Sequence, residues 1–406
     1  MLAKHEPECD TGIGMQSISA YSRRERSARS ARGVAAGAVL LILGWSGIAL
    51  ADTVERTELH GVSVRILTRG LDHPWSLAFL PDGRMLVTER SGRLRYVAAD
   101  GTLDPTPISG LPEAVAERRQ GGLHDGVLHP RFAENRLVYL AYAGKGDGGY
   151  GTELARGRLD GHRLTDVRIL FRALPKSWGG RHFGGRVVFD GKGHVFLTLG
   201  DRGNRPRAQD PGDHAGSVIR LTEDGQVPKD NPYLSVAGAR PEIYTIGNRN
   251  IQGAALNPRT GELWTHEHGP QGGDEINIIR AGVNYGWPVI THGRNYGIGT
   301  RIGEGTRKEG MAEPLYQWTP SIAPSGMAFY DGDKFPRWRG NLLVGALAYR
   351  LLARLELDGG RVVREERILK GVLGRIRDVR VGPDGYVYLL SDEEPGVLAR
   401  LEPAGG

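Results

Sequence analysis

The chain is predicted to be all-β, a single six-bladed β-propeller. Three observations predict it: a glycine content that calls for many turns, a strand pattern repeated six times, and one lone alternating strand near the start. About one residue in seven of the 406 is glycine (61 Gly), with no G-X-Y period. That excludes collagen and favours tight turns over long helices. With 39% hydrophobic residues the chain is too apolar to be disordered, and it is long enough for one large domain with a sizeable core.

The repeat begins at 77–97, LAFLPDGRMLVTERSGRLRYV: a short apolar strand, a D-G turn, an alternating strand, a second turn and another strand. It returns at 127–159 (VLHPRFAENRLVYLAY, then TELARGRL), 187–221 (VVFDGKGHVFLTLGDRG, then SVIRL) and 254–280 (AALNPRTGELWTHEHG, then EINIIR). The last two copies are 327–357 (MAFY, NLLVGAL, LLARLEL) and 379–401 (VRVGPDGYVYLLSD, then VLARL). Six β units of three or four strands with D-G and P-D-G turns are the signature of a propeller. Residues 59–67 (LHGVSVRIL) alternate and stand apart from any copy. They are predicted to close the ring by joining the last blade.

A leader precedes the propeller. Arg23, Arg24, Arg26, Arg29 and Arg32 stand before an aliphatic run, 34–50, that ends in Ala49-Leu50-Ala51. A basic segment, an apolar segment and an A-x-A end predict a cleaved signal peptide over 1–51, leaving 52–406 periplasmic or secreted. The run is at the lower edge of a membrane span and carries Gly37, Gly44 and Gly47, so no stable membrane insertion is expected after cleavage. The single cysteine, Cys9, lies in the leader. The mature chain then has no disulfide, thiolate metal site or cysteine nucleophile. Net charge is +6 for the whole chain and +4 without the leader, with the signs interspersed. No basic block suggests a nucleic-acid partner.

The residues that can carry chemistry lie in loops between the repeats, where propellers place function. His182, in Gly179-Gly180-Arg181-His182-Phe183-Gly184-Gly185, has neighbours too small to bury it. It is expected to face an open cavity as an uncharged imidazole, a natural general base near neutral pH. Gln120, before Gly121-Gly122, presents a side-chain amide. Arg249 and Asn250 offer a cationic fork beside an amide, suited to carboxylates or a quinone carbonyl. The turn Gly269-Pro270 can point backbone carbonyls outward, and with Asp274 and Glu275 it makes an oxygen-rich environment suited to Ca²⁺. His266 and His268 sit two apart and lack the H-E-x-x-H spacing of a zinc helix. Arg375 and Arg377, at a strand end, point the same way and suit an anion with several carboxylates. Read alone, the His182 and 246–288 segments are equally consistent with solvated loop polarity, and Arg375 and Arg377 more so.

Together the motifs QGGL, GGRHFGGR, GNRNIQG, EHGPQGGDEIN, NYGWP, PSIAPSG and RIRDVRVGPDG run in order over about residues 70–400. In this series the chain resembles the soluble PQQ-dependent sugar dehydrogenases, the glucose/sorbosone dehydrogenase family, in its aldose sugar dehydrogenase subgroup. The resemblance implies a propeller binding pyrroloquinoline quinone (PQQ) and Ca²⁺ on one face and oxidising an aldose to its lactone. His182 matches the general base that takes the anomeric proton as hydride passes to quinone C5. Gln120, Arg249, Asn250, Ser321, Arg375 and Arg377 match positions around the quinone, with Arg249 also acting on its oxygen. The carbonyls of Gly269 and Pro270 match ligands of the cofactor-bound Ca²⁺, and Glu275 and Tyr285 match a second, structural Ca²⁺ site. Partners implied are the aldose, an external electron acceptor (quinone or cytochrome), and a monomeric or homodimeric state.

The sequence departs from this pattern in two places. Ala348 stands where the family often has a lysine that polarises the quinone, so that Arg249 and Ca²⁺, or Arg350 reaching in, would have to serve. Arg181 precedes the matched histidine where glucose-type enzymes have an acid. Two other readings remain at this level: a Ca²⁺-dependent lactonase, and a propeller that binds without catalysing, which Ala348 favours.

Overall fold

Short apolar strands joined by D-G turns cannot bury two faces alone, and here they stack face to face in a ring. The computed structural model describes residues 53–113 and 119–404. The predicted leader, with Cys9, lies outside the described residues. The sheets form six antiparallel blades, a six-bladed β-propeller. Its innermost strands are Pro74–Phe79, Leu123–Leu128, Val187–Phe189, Ile251–Leu256, Pro324–Phe329 and Ile376–Val381. Each lies beside the next around the ring, the sixth beside the first.

Six apolar clusters fill the six gaps between blades. Leu94, Tyr96, Leu140 and Tyr142 join blades 1 and 2, and Tyr139, Leu154, Leu197 and Ile219 join blades 2 and 3. Phe196 and Ile251, Trp264 and Val344, and Leu343 and Val379 hold the next three gaps. Leu77, Val87 and Leu390 hold the last. At about 1.5–3 kcal/mol per fully buried large side chain, this stacking is the main favourable contribution to the fold.

The closing strand is Gly61–Leu71, longer than the predicted 59–67, and it pairs with Gly396–Pro403 in blade 6. Register shifts at Ile66/Thr68 and Arg69/Leu71 break the alternation while pairing continues, so periodicity stops short of the true end. Thr53–Arg56 adds an unexpected fifth strand outside it. Blade 1 has three strands: in the fourth place stands Asp104-Pro105-Thr106-Pro107, whose prolines have no N–H to give a ladder. Among the described residues, the isolated bridges Leu94–Ile108 and Val97–Leu103 form there.

All inner strands run in the same direction along the channel. The loops entering them therefore share one face with the turns between each blade's second and third strands. We call this the upper face.

Candidate functional site

His182, Asn250, Ser321 and Arg375 stand just before the inner strands of blades 3, 4, 5 and 6, Gln120 just before that of blade 2, and Arg377 is the second residue of blade 6's. Gly269, Pro270 and Glu275 lie at the turn between Leu263–Glu267 and Asp274–Ile279 in blade 4. The fold therefore brings the predicted residues to the upper face.

His182 is not in an open cavity as expected; it is only 9% exposed. Its small neighbours let surrounding blades close over it. Its Nδ1 lies 2.6 Å from an Asp201 oxygen, and its backbone N–H donates to Gln120 Oε1 at 2.9 Å. Asp201 also accepts Trp287 Nε1–H at 2.8 Å and the Gly203 N–H at 2.7 Å. Burial alone would raise the Asp201 carboxyl, but the His182 bond and the Arg249 charge outweigh it and hold it below its ordinary range. An ionised Asp201 requires the proton on Nδ1, so the lone pair is on Nε2. Among the described residues Nε2 has no hydrogen-bond partner. Burial and then Arg249 push the imidazole down to about 4 against the opposing pull of Asp201. It is thus neutral by desolvation rather than poised near pH 7. Its backbone is left-handed, φ 55°, an uncommon state for a residue with a Cβ. Only a glycine fits opposite: a Cβ on Gly200 would stand 2.3 Å from the His182 carbonyl oxygen.

Arg249 donates through one guanidinium nitrogen to the carbonyls of His268 and Gly269, both at 2.9 Å, and lies over the Trp287 ring at 5.4 Å. Asn250 Oδ1 accepts the Gly184 N–H at 3.1 Å, tying blade 4 to the His182 loop. Gly269 can only be glycine, since a Cβ would meet the Gly272 oxygen at 2.2 Å. Its N–H donates to Asp274, which also accepts Ser321 Oγ–H and the N–H groups of Ile322 and Ala323. Ser321 therefore commits its hydroxyl to fastening blade 5 to the Gly269 turn.

Glu267 and Glu275 are cross-strand partners, both buried. Burial raises Glu267 to about 7 in spite of hydrogen bonds from Arg249, Asn248 and Asn250. Burial and then the Glu267 charge hold Glu275 well above the usual carboxylate range. The Tyr285 hydroxyl donates to the Ile278 carbonyl at 2.6 Å and accepts the Arg280 N–H at 3.0 Å. Any metal contact from this residue falls to its backbone carbonyl.

Arg375 and Arg377 do converge, on Asp392. Arg377 is buried and ion-paired with it at 2.6 Å; Arg375, 42% exposed, is 3.7 Å away. His73 Nδ1 at 3.1 Å and Arg90 at 3.9 Å share the same carboxylate. Burial would raise Asp392, yet the Arg377 charge and the His73 and Arg377 bonds hold it far below its ordinary value. Glu393 also faces this group, accepting the Arg375 N–H at 3.1 Å, and Arg377 Nε is buried with no hydrogen-bond partner. Ala348 gives its N–H to the Ile322 carbonyl at 3.0 Å. Arg350 is exposed, left-handed at φ 50°, and its charge acts on Arg375.

A cavity of about 950 Å³ lies elsewhere: it opens on the lower face among Val127, Phe189, Leu256, Phe329 and Asp384. Between it and the upper site the channel is crossed by ion pairs. Arg186 of blade 3 meets Asp378 of the opposite blade 6 at 2.9 Å, and Arg380 meets Asp125 and Asp378, both at 2.8 Å.

Sequence reasoning missed Asp201, Asp392 and the anchoring role of Asp274. Asp201 reads as a turn residue in Leu199-Gly200-Asp201-Arg202-Gly203. The available signal was topological: in a blade, the turn after the second strand shares a face with the loop before the first.

Residues 71–400 match the family described as Glucose / Sorbosone dehydrogenase. The chain is 49% identical over 348 residues to aldose sugar dehydrogenase YliI of Escherichia coli (strain K12), covering 84% of this chain and 93% of that one. It is 28% identical to quinoprotein glucose dehydrogenase B of Acinetobacter calcoaceticus, covering 81% and 85%. Among solved structures, the apo-form of the soluble aldose sugar dehydrogenase from Escherichia coli superposes with a TM-score of 0.82 at 47% identity, covering 84% of this chain and all of that one. The PQQ-bound form of aldose sugar dehydrogenase from Streptomyces coelicolor gives 0.69 at 28% identity, covering 84% and 98%. The chain belongs to the glucose/sorbosone dehydrogenase family and is an oxidoreductase of sugars.

Proposed function

We propose that the protein is a PQQ- and Ca²⁺-dependent dehydrogenase that oxidises aldoses at C1 to the lactone. The observation that carries this is the neutral His182, its free Nε2 turned to the same face as Arg249 and the Arg375–Arg377 pair. The residues fit the cofactor on chemical grounds. Arg375 and Arg377, with an unpartnered buried Nε, suit an anion with several carboxylates. Gln120, Arg249, Asn250 and Ser321 would border it. The Gly269 and Pro270 carbonyls are hard oxygen donors for the Ca²⁺ beside it, and Glu275 with the Tyr285 carbonyl for a second Ca²⁺. The Streptomyces coelicolor relative bound PQQ, which supports the same occupant here.

Bound there, the quinone supplies the acceptor for the hydride leaving C1. His182 Nε2 takes the proton of the anomeric hydroxyl, so that C1–O closes to a carbonyl as the C1–H bond breaks. Asp201 holds the imidazole in the tautomer that can do this and stabilises it once protonated. Arg249 would place fixed positive charge beside the reacting centre. Electrons would then leave to an external acceptor, and the predicted leader supports a reaction in the periplasm or outside the cell.

The test is reconstitution. PQQ added to purified protein with Ca²⁺ should give a quinone absorbance band that bleaches on adding an aldose. Arg377→Ala should weaken binding by about tenfold or more, the loss of a charge-assisted contact. Absence of binding, or binding without bleaching, would remove this reading.

A further inference from the structure

The loop that carries His182 has no rigidity of its own. Four of the seven positions 179–185 are glycine, and among the described residues no hydrogen bond joins one part of 178–186 to another. Everything that shapes it comes from outside: Gln120 on Gly180 and His182, Asn250 on Gly184, Thr198 on Gly185. The strongest outside hold is one side chain. Arg202 donates through one terminal nitrogen to the Arg181 carbonyl and through the other to the Gly179 carbonyl. Its guanidinium lies over the Phe183 ring at 3.4 Å. The residue is 7% exposed and has no carboxylate within ion-pair distance among the described residues. Burial pushes the group down to about 9, so it is still a cation at neutral pH.

The chemistry of this arrangement is specific. A rigid planar fork takes both carbonyls in one fixed geometry, which the rotatable donors of a lysine ammonium do not impose. The third contact, the cation over Phe183, grips the residue after His182. Arg202 therefore brackets His182 from both sides, while the preceding Asp201 holds its imidazole. A buried guanidinium without a carboxylate is costly to stability and is not explained by it. We infer that Arg202 is a positioning residue for His182: it fixes the left-handed backbone that aims Nε2 at the sugar.

This inference rests on the reading of His182 as the base, so its test has a readout that needs no cofactor. In ¹⁵N-histidine-labelled apo-protein, the proton on His182 Nδ1, shielded by Asp201, should give a low-field resonance. Arg202→Ala and Arg202→Lys should both lose or broaden that resonance while far-UV circular dichroism and Tm stay near wild type. In the PQQ-loaded enzyme both variants should lose about 10² in kcat, the size of effect a small misplacement produces, with KM and PQQ affinity within about threefold. Guanidinium ion should partly restore Arg202→Ala and leave Arg202→Lys unimproved. A wild-type resonance and kcat in either variant would overturn the inference. So would unfolding of Arg202→Lys, which would make Arg202 a determinant of the fold. If the wild type neither binds PQQ nor oxidises an aldose, the functional reading fails on its own, and the resonance still decides the clamp.

Discussion

Asp201 accepts three donors with two oxygens: His182 Nδ1–H, Trp287 Nε1–H and the Gly203 N–H. His182 and Gly203 share one oxygen and Trp287 has the other, so an asparagine would turn its amide NH₂ either to Trp287 or to the His182–Gly203 pair, donor against donor. In the second orientation His182 must change tautomer, which puts a proton on Nε2 and removes the base. Asp201→Asn should therefore fold and bind PQQ normally but lose about 10²–10⁴ in kcat. Stopped-flow reduction of the bound quinone measures this, and a kcat within about twofold of wild type would exclude the role. The pH profile follows from the same geometry. With the imidazole pushed down to about 4, the base is unprotonated throughout the neutral range. Activity should stay level as pH falls through about 6.5, the ordinary histidine value, and decline only towards 4. Four flanking glycines single out His182 in the sequence, but they read as leaving it open. Burial depends on which blades close over a loop, and no local pattern records that.

The blade hairpins were legible because their turns are chemical statements: D-G and P-D-G sit where φ must be positive or preset, and apolar residues alternate between them. The fourth strand of blade 1 was lost for the same kind of reason, two prolines where N–H donors were required. What pairs across a hairpin is less legible. Glu275 was identified, yet its partner Glu267 lies across the turn at matched register in Leu263–Glu267. Burial raises Glu267, and burial with the Glu267 charge raises Glu275; for Glu267 a raised folded value means stability present below about 4.5 and lost as pH rises through about 7. The Ca²⁺-free protein should thus weaken between about pH 5 and pH 8, and Ca²⁺ should restore it. Glu275→Gln should make the Ca²⁺-free protein more stable at about pH 8 and abolish the gain from Ca²⁺. Thermal unfolding with Ca²⁺ or a chelator at both pH values checks this. An undiminished Ca²⁺ gain in the variant would place the ion elsewhere.

At the scale of the whole ring, six repeats and a closing strand are visible in the sequence, but nothing of what spans the channel, because its partners come from opposite blades. Arg186 and Asp378 are nearly two hundred positions apart and meet at 2.9 Å. Asp125 also accepts the Val187 N–H and Asp378 the Leu77 N–H, both at 3.0 Å, so the two acids tie together blades 1, 2, 3 and 6. The same Arg186 donates to the backbone carbonyls of Gln252 and Arg377, and Gln252 Oε1 accepts from Arg377 at 3.0 Å. The ionic crossing thus underlies the cationic cluster above it. Replacing the whole set with apolar residues of similar volume could be nearly neutral, but removing one partner strands a buried charge. Asp378→Ala leaves Arg186 and Arg380 to share Asp125 and should cost about 3–5 kcal/mol. Urea unfolding would measure the loss, and PQQ titration at a temperature where the variant is folded should show weaker binding, because Arg377 loses its support. A cost below about 1 kcal/mol, the range of an exposed pair, would mean that water reaches these charges and that the channel is open from face to face.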